Sequence, residues 1–180
     1  MVHPAQKEPA DHPGLPVKVR IKDIDKGFRK MVEATSKLAR KPFVKVGVLE
    51  NSGSYPGGMT TAEVATIHEF GAPKANIPER SFIRSSVDSE TPAVKEQLAK
   101  DKEKVITGKL DPIRALSLIG QRLQRAIQKR IVDQGPGVEG KPWDELKEGT
   151  KRAKGSDKAL IDTGQLRQSI RYQVIPEEKK

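Results

Sequence analysis

The sequence predicts an α+β domain, and three observations carry that expectation. Val17, Val19 and Ile21 alternate with Lys18, Arg20 and Lys22, the period of a half-buried strand, and the run Phe43-Val-Lys-Val-Gly-Val-Leu49 reads as a second, central strand. Residues 112–132 instead repeat their apolar positions with the 3.6-residue period of a helix. Helix and strand periods therefore both occur in the one chain.

The elements follow in order. Residues 1–16 carry Pro4, Pro9, Pro13 and Pro16 with almost no apolar periodicity, so they read as an extended arm or a disordered tail. After the first strand, Asp23 or Asp25 is placed to cap a helix whose inner face is Phe28, Met31, Val32, Thr35 and Leu38, closed by Pro42. Residues 51–59 hold Gly53, Gly57, Gly58 and Pro56 and form a flexible loop. Thr60 and Glu63 make a capping box that opens a short helix from Thr61 to about Phe70, with Val64, Ile67 and Phe70 inward and Gly71 as a left-handed stop. Pro73 and Pro78 bracket an irregular stretch ending in Arg80-Ser-Phe-Ile-Arg84. A strongly charged helix is expected from about Thr91 to Ile106, with Val94, Leu98, Val105 and Ile106 as a thin apolar stripe.

Pro112 occupies the first turn of the clearest helix, which runs to about Val132. Leu116, Ile119, Leu123, Ile127 and Ile131 span an arc of roughly 120°, a core face, and Arg114, Arg122, Arg125 and Lys129 lie within about 80° on the opposite side. With Arg130, five positive charges sit on this one helix, and no acid interrupts residues 112–132. The segment 134–158 is rich in Gly, Pro and Lys, with Trp143 its only large apolar anchor. It is longer than an ordinary connection, so it is functional or becomes ordered on assembly. Asp162-Thr-Gly164 makes a turn, Leu166 and Ile170 follow at helical spacing, and Tyr172, Val174 and Ile175 form a last strand. The domain is thus read as 17–175, with an arm at 1–16 and a tail at 176–180.

Composition bounds the function. The 180 residues carry a net charge of +10, apolar residues make up 34% and aromatics 4%, and cysteine is absent. Without cysteine there are no disulfides, thiolate metal sites or Cys nucleophile. The apolar share is lean against the roughly 45–50% of globular domains, so either part of the chain is not packed into a core or some burial happens against other subunits. No apolar run approaches the roughly 20 residues of a membrane span and no signal-peptide stretch opens the chain, so a soluble protein with no membrane partner is expected.

Catalytic and cofactor motifs fail on context. Residues 135–140 match G-x-G-x-x-G, but a helix precedes them and Lys141-Pro142 follows, so no amides are aimed at a pyrophosphate. His68-Glu69 begins like a zinc-protease helix, yet the second ligand position holds Ala72, and His3 and His12 are the only other histidines. No phosphate loop and no serine elbow occurs. The expectation is a non-enzyme with no cofactor and no metal. For nucleic acid, the aromatics are not interleaved with basic residues, and Gln121, Gln124 and Gln128 lack a helix-turn-helix context. Non-sequence-specific phosphate contact by the basic helix face stays open as the alternative function.

Two boxes carry a resemblance. Val64-Ala-Thr-Ile-His-Glu-Phe-Gly71 followed by Ile77-Pro-Glu-Arg-Ser-Phe-Ile-Arg84, and then Ala159-Leu-Ile-Asp-Thr-Gly-Gln-Leu-Arg-Gln-Ser-Ile170, resemble in order and spacing the signatures of tailed-bacteriophage neck and tail-completion proteins, including the Mu-type virion morphogenesis group. Glu79-Arg-Ser81 replaces the more usual Ala-Arg-Pro, and the arm has no counterpart. The resemblance implies a small antiparallel or mixed sheet packed by helices. It also implies a structural subunit of the head–tail junction, a hexameric homo-oligomeric ring around the DNA channel. The ring would contact adjacent connector or head-closure and tail-tube proteins and touch genomic DNA non-specifically, after assembly in the host cytoplasm. Within the boxes, His68 and Glu69 read as packing or interface residues, Phe70 and Phe82 as pins for the loop, and Arg80 as a bidentate contact. Gly71 and Gly164 supply positive φ, and Asp162 and Thr163 cap the helix that carries Leu166. The basic stripe is expected to face the channel or an acidic ring partner.

Overall fold

The computed structural model describes residues 27–49 and 51–176. The expected arm, the strand at 17–21, the caps Asp23 and Asp25 and the end of the tail lie outside the described residues. The domain is α+β. Its elements in chain order are α1 (Phe28–Ala39), β1 (Phe43–Val48), α2 (Thr61–Phe70), α3 (Arg84–Ile106), α4 (Pro112–Asp133), α5 (Glu148–Lys154), α6 (Gln165–Ser169) and β2 (Ile170–Ile175).

β1 and β2 pair antiparallel, with Phe43 opposite Ile175 and Val48 opposite Ile170. α4 lies across one face of this pair and α3 packs beside α4. The approach is close because α4 carries Gly120 there: a Cβ would sit 2.5 Å from the Tyr172 ring and 2.9 Å from a Val44 methyl. The α4 face read from periodicity is the core face. Ile119, Ile127 and Ile131 are buried, and the last two join Ala65, Phe82, Ala159, Leu160, Leu166 and Ile170 in one cluster. Each such aliphatic side chain contributes about 1.5–3 kcal/mol on burial. Asp111 caps α4 by accepting from Ile113 N–H at 2.8 Å and Arg114 N–H at 3.3 Å, just ahead of Pro112 in the first turn. Its carboxylate also receives Lys37 Nζ at 2.5 Å, and that hydrogen bond first of all holds the carboxyl below its usual range.

Several expectations need correction. Among the described residues β1 pairs with one strand, β2. The stripe of α1 is not an inner face: Phe28 is 67% exposed, Val32 and Leu38 are also exposed, and the buried residue is Ala34. α1 starts on Gly27 at φ 98° with no side-chain cap. Among the described elements α1 packs chiefly on α3 and α4, and neither covers the apolar stripe. α3 begins at Arg84, seven residues ahead of the expected start, and its stripe is only partly covered, with Val105 buried but Leu98 and Ile106 exposed. The segment 134–158 is not structureless within one subunit. It holds a 3-10 turn at Val138–Gly140 and α5, and Trp143 packs against the core cluster with its ring on Gly135 and Gly137.

Candidate functional site

The first box is organised by Glu69, which ends α2 buried at 4% exposure. Its carboxylate accepts from the Ser81 hydroxyl at 2.7 Å and from the backbone N–H groups of Phe82, Ile83 and Arg84 at 2.9, 2.8 and 2.9 Å. These are the free donors at the start of α3, which has no cap of its own at Ile83. A carboxylate from one helix thus caps the next, and the favourable helix-dipole end and charge-assisted hydrogen bonds compensate its burial. Arg84 closes the arrangement: its Nε lies 3.1 Å from Glu69, its Nη2 is 2.7 Å from Glu79, and its guanidinium stands 4.7 Å from the centre of the Phe70 ring. Phe70 is therefore 60% exposed under an arginine, a correction to its expected inward role. Phe82 is fully buried and does pin the loop.

Gly71 ends α2 at φ 72° and ψ 168°, so the φ is positive as expected but the conformation is not the left-handed helical one. This region is open essentially to glycine alone, and a Cβ would lie 2.8 Å from the Glu79 nitrogen. His68 packs beside the same turn, its Nδ1 buried without a hydrogen-bond partner. Burial first, then the positive charges of Arg80 and Lys154, push its pKa down to about 4. Arg80 is 4% exposed; its backbone N–H donates to the His68 carbonyl at 2.7 Å and its guanidinium donates through Nη2 to the Asp144 carbonyl at 3.0 Å. The bidentate carboxylate contact expected of it is not made, because the loop carrying Asp144 meets it with a backbone oxygen.

The second box meets the first in space. Leu166 is buried in the core cluster, and Gln165 beside it donates to the Thr61 hydroxyl at 3.0 Å and to the Ser54 carbonyl at 3.2 Å. Gly164 opens α6 at φ 80° with no side-chain cap. Of the expected caps, Thr163 alone contributes, accepting from Gln165 N–H at 3.3 Å, whereas Asp162 is exposed. Ile170 starts β2 instead of continuing the helix. Between the boxes runs a groove of about 820 Å³ lined by His68, Phe70, Gly71, Ile77 and Arg80 from the first and by Leu160, Asp162, Thr163, Gly164 and Leu166 from the second. Asp144, Leu146 and Lys154 of the intervening segment complete its wall. Burial lowers the Lys154 pKa, an effect opposed by nearby Asp162.

Three comparisons bear on this chain. Residues 90–179, which span the second box, α4, β2 and most of α3, match the model of the phage virion morphogenesis family. The chain belongs to that family. It is thereby a protein of phage virion structure and assembly. No curated protein and no solved structure gives a significant match. The matched residues of this virion morphogenesis protein start after the first box, so Glu69 and its neighbours enter the site through geometry.

The morphogenesis-family chain carries its basic residues on the other side of α4. Arg114, Arg122, Arg125 and Lys129 are all exposed, as a stripe should be. Two of them are compensated, Arg122 by Glu90 at 2.5 Å and Lys129 by Asp133 one turn on. Arg130 does not belong to the stripe: it donates to the carbonyls of Ser85 at 3.1 Å and Pro136 at 2.9 Å and to the Ser89 hydroxyl at 2.6 Å, tying α3 to the chain after α4. Gln124 and Gln128 are also structural. Gln124 accepts from Tyr172 N–H at 3.1 Å, and Gln128 donates to the Ile170 carbonyl at 3.3 Å. Sequence reasoning had no signal for Glu69 as a cap, because its partners stand twelve to fifteen residues away. Among the described residues no group of three or more acidic or histidine side chains could hold a metal ion, and no helix is long and apolar enough to cross a membrane.

Proposed function

We infer that this protein is a non-enzymatic structural subunit of the phage head–tail junction, a neck, tail-terminator or tail-completion protein that joins connector to tail as a homo-oligomeric, hexameric ring around the DNA channel. The observation that carries the reading is the convergence of the two boxes, some eighty residues apart in sequence, on the two walls of one groove. Family membership supports the virion role, and the boxes resemble those of neck and tail-completion proteins.

The surface supports assembly in the same direction. Phe28, Phe70, Leu98, Val32 and Leu38 are exposed, a supply of apolar area that neighbouring subunits can cover. The uncompensated part of the basic stripe, Arg114 and Arg125, suits the DNA channel or an acidic partner. Function then consists of docking: each ring face meets a connector or tail-tube surface by shape and charge, and the subunit does no chemistry.

Electron microscopy decides it. Negative-stain images of the purified protein should show closed rings, and particles assembled without it should be filled heads and free tails. A protein that stays monomeric at high concentration and is absent from purified virions would overturn the reading. Salt-sensitive DNA binding by such a monomer, lost steeply between low and physiological salt, would favour a basic nucleic-acid-binding protein instead.

A further inference from the structure

The two edges of the β1–β2 pair are treated differently. On β2 the outward groups belong to Ile170, Tyr172 and Val174, and α4 closes two of them, the Tyr172 N–H and the Ile170 carbonyl, with the side chains of Gln124 and Gln128. In an antiparallel pair, residues opposite each other turn their backbone groups inward or outward together. Tyr172 stands opposite Val46 and Ile170 opposite Val48, so Val44, Val46 and Val48 turn their N–H and C=O groups out along the far edge of β1. Among the described residues no hydrogen bond reaches those groups. An edge of this kind is a template for another strand.

The two faces of the pair specify what fits. The face under α4 is apolar, with Val44, Val46, Val48, Ile170, Tyr172 and Val174, and the opposite face carries exposed Lys45, Arg171 and Gln173. A third strand must therefore be apolar on one side and cationic or polar on the other. Residues 17–22, Val-Lys-Val-Arg-Ile-Lys, have that alternation with the same sign of charge outward. They lie outside the described residues, and the chain they belong to enters the structure at Gly27, at the start of α1.

We propose that the outer edge of β1 is the docking site for residues 17–21 of the same chain, which add to it as a parallel strand. The connection 23–42 contains α1, and a helix of twelve residues returns about 18 Å, the length of a strand of this size. A parallel pair needs such a crossover. Parallel addition starts the new strand beside Phe43, whereas the groove lies near Leu166, which precedes the Ile170–Val48 end.

The absence of cysteine makes the test clean. A Val19→Cys/Val46→Cys variant, with Val17→Cys/Val46→Cys and Ile21→Cys/Val46→Cys as register controls, is oxidised and run without reductant. One of the three pairs should give a fast-migrating monomer. Disulfide-linked dimers overturn the same-chain assignment in favour of strand exchange between copies, and no crosslink in any register overturns the site. Hydrogen exchange on the full chain reads the same contact without cysteines. The amides of Val44, Val46 and Val48 should be protected and should exchange at least about tenfold faster in Arg20→Pro, which removes a ladder donor, while Tyr172 stays protected by Gln124. Unchanged exchange at the three valines in a folded Arg20→Pro overturns the proposal.

Discussion

Glu69 shows how one side chain can join two helices. Its carboxylate is buried with its bonds made to groups that α3 cannot satisfy itself, so removing it strands those donors and leaves Arg84 half-paired. Glu69→Ala should cost about 3–5 kcal/mol, the range for breaking a buried charged network. Glu69→Gln, which keeps one acceptor oxygen, should cost less. Urea unfolding measures both, and an alanine variant as stable as the parent would refute the capping role. His68 supplies the pH dependence. Its folded pKa of about 4 lies below the ordinary 6.5, so between those values the unfolded chain binds a proton that the folded chain refuses. Stability contributed this way is complete above pH 6.5 and is lost as pH falls towards 4, by up to about 3 kcal/mol. His68→Gln should flatten that part of the stability curve, which denaturant titrations across pH 4–7 will show.

At the scale of elements, α4 is the organiser: its apolar face covers the sheet, Gln124 and Gln128 close the sheet edge, and Arg130 holds α3. Gly120 permits the close crossing. Helix propensity alone says that Gly120→Ala gains about 1 kcal/mol. The structure reverses the sign, because the new methyl would meet Tyr172 at 2.5 Å, and overpacking costs about 1–3 kcal/mol. A fall in thermal midpoint for Gly120→Ala, against a rise for an exposed helical control such as Gly149→Ala, is the expected result. Gln134 does similar work at the other end, pairing both its amide groups with the backbone of Ala159, the first residue of the second box.

For the whole molecule, the charge of +10 is less a uniform field than it looks. Arg122 and Lys129 are neutralised locally and Arg130 is part of the frame, which leaves Arg114 and Arg125 as the cations of the stripe with no ion pair among the described residues. Reversing both, Arg114→Glu with Arg125→Glu, should leave stability within about 0.5 kcal/mol and block head–tail joining in a complementation assay. Joining at parental efficiency would make the stripe a solvated face only. The lean core has its counterpart in the apolar surface that Phe28, Phe70 and Leu98 expose among the described residues.

What could be read from the sequence was what short-range physics controls. The core face of α4, the Asp111–Pro112 start, the Thr60–Glu63 capping box and the two strands at Phe43 and Tyr172 each depend on residues within a turn or a few positions of one another. The α+β class followed from those local patterns, and the two boxes in their order from a resemblance between short motifs. The rest was decided by contacts between distant segments. A periodic stripe on α1 says that one face is apolar, not that a neighbour will cover it, and the structure leaves it exposed. The early start of α3 depends on a carboxylate from α2, the closed edge of β2 on glutamines from α4, and the groove on two boxes meeting across the fold. Local sequence determined which elements form; only their packing decided which surfaces remain for partners, because burial is a property of the pair of surfaces and not of either one.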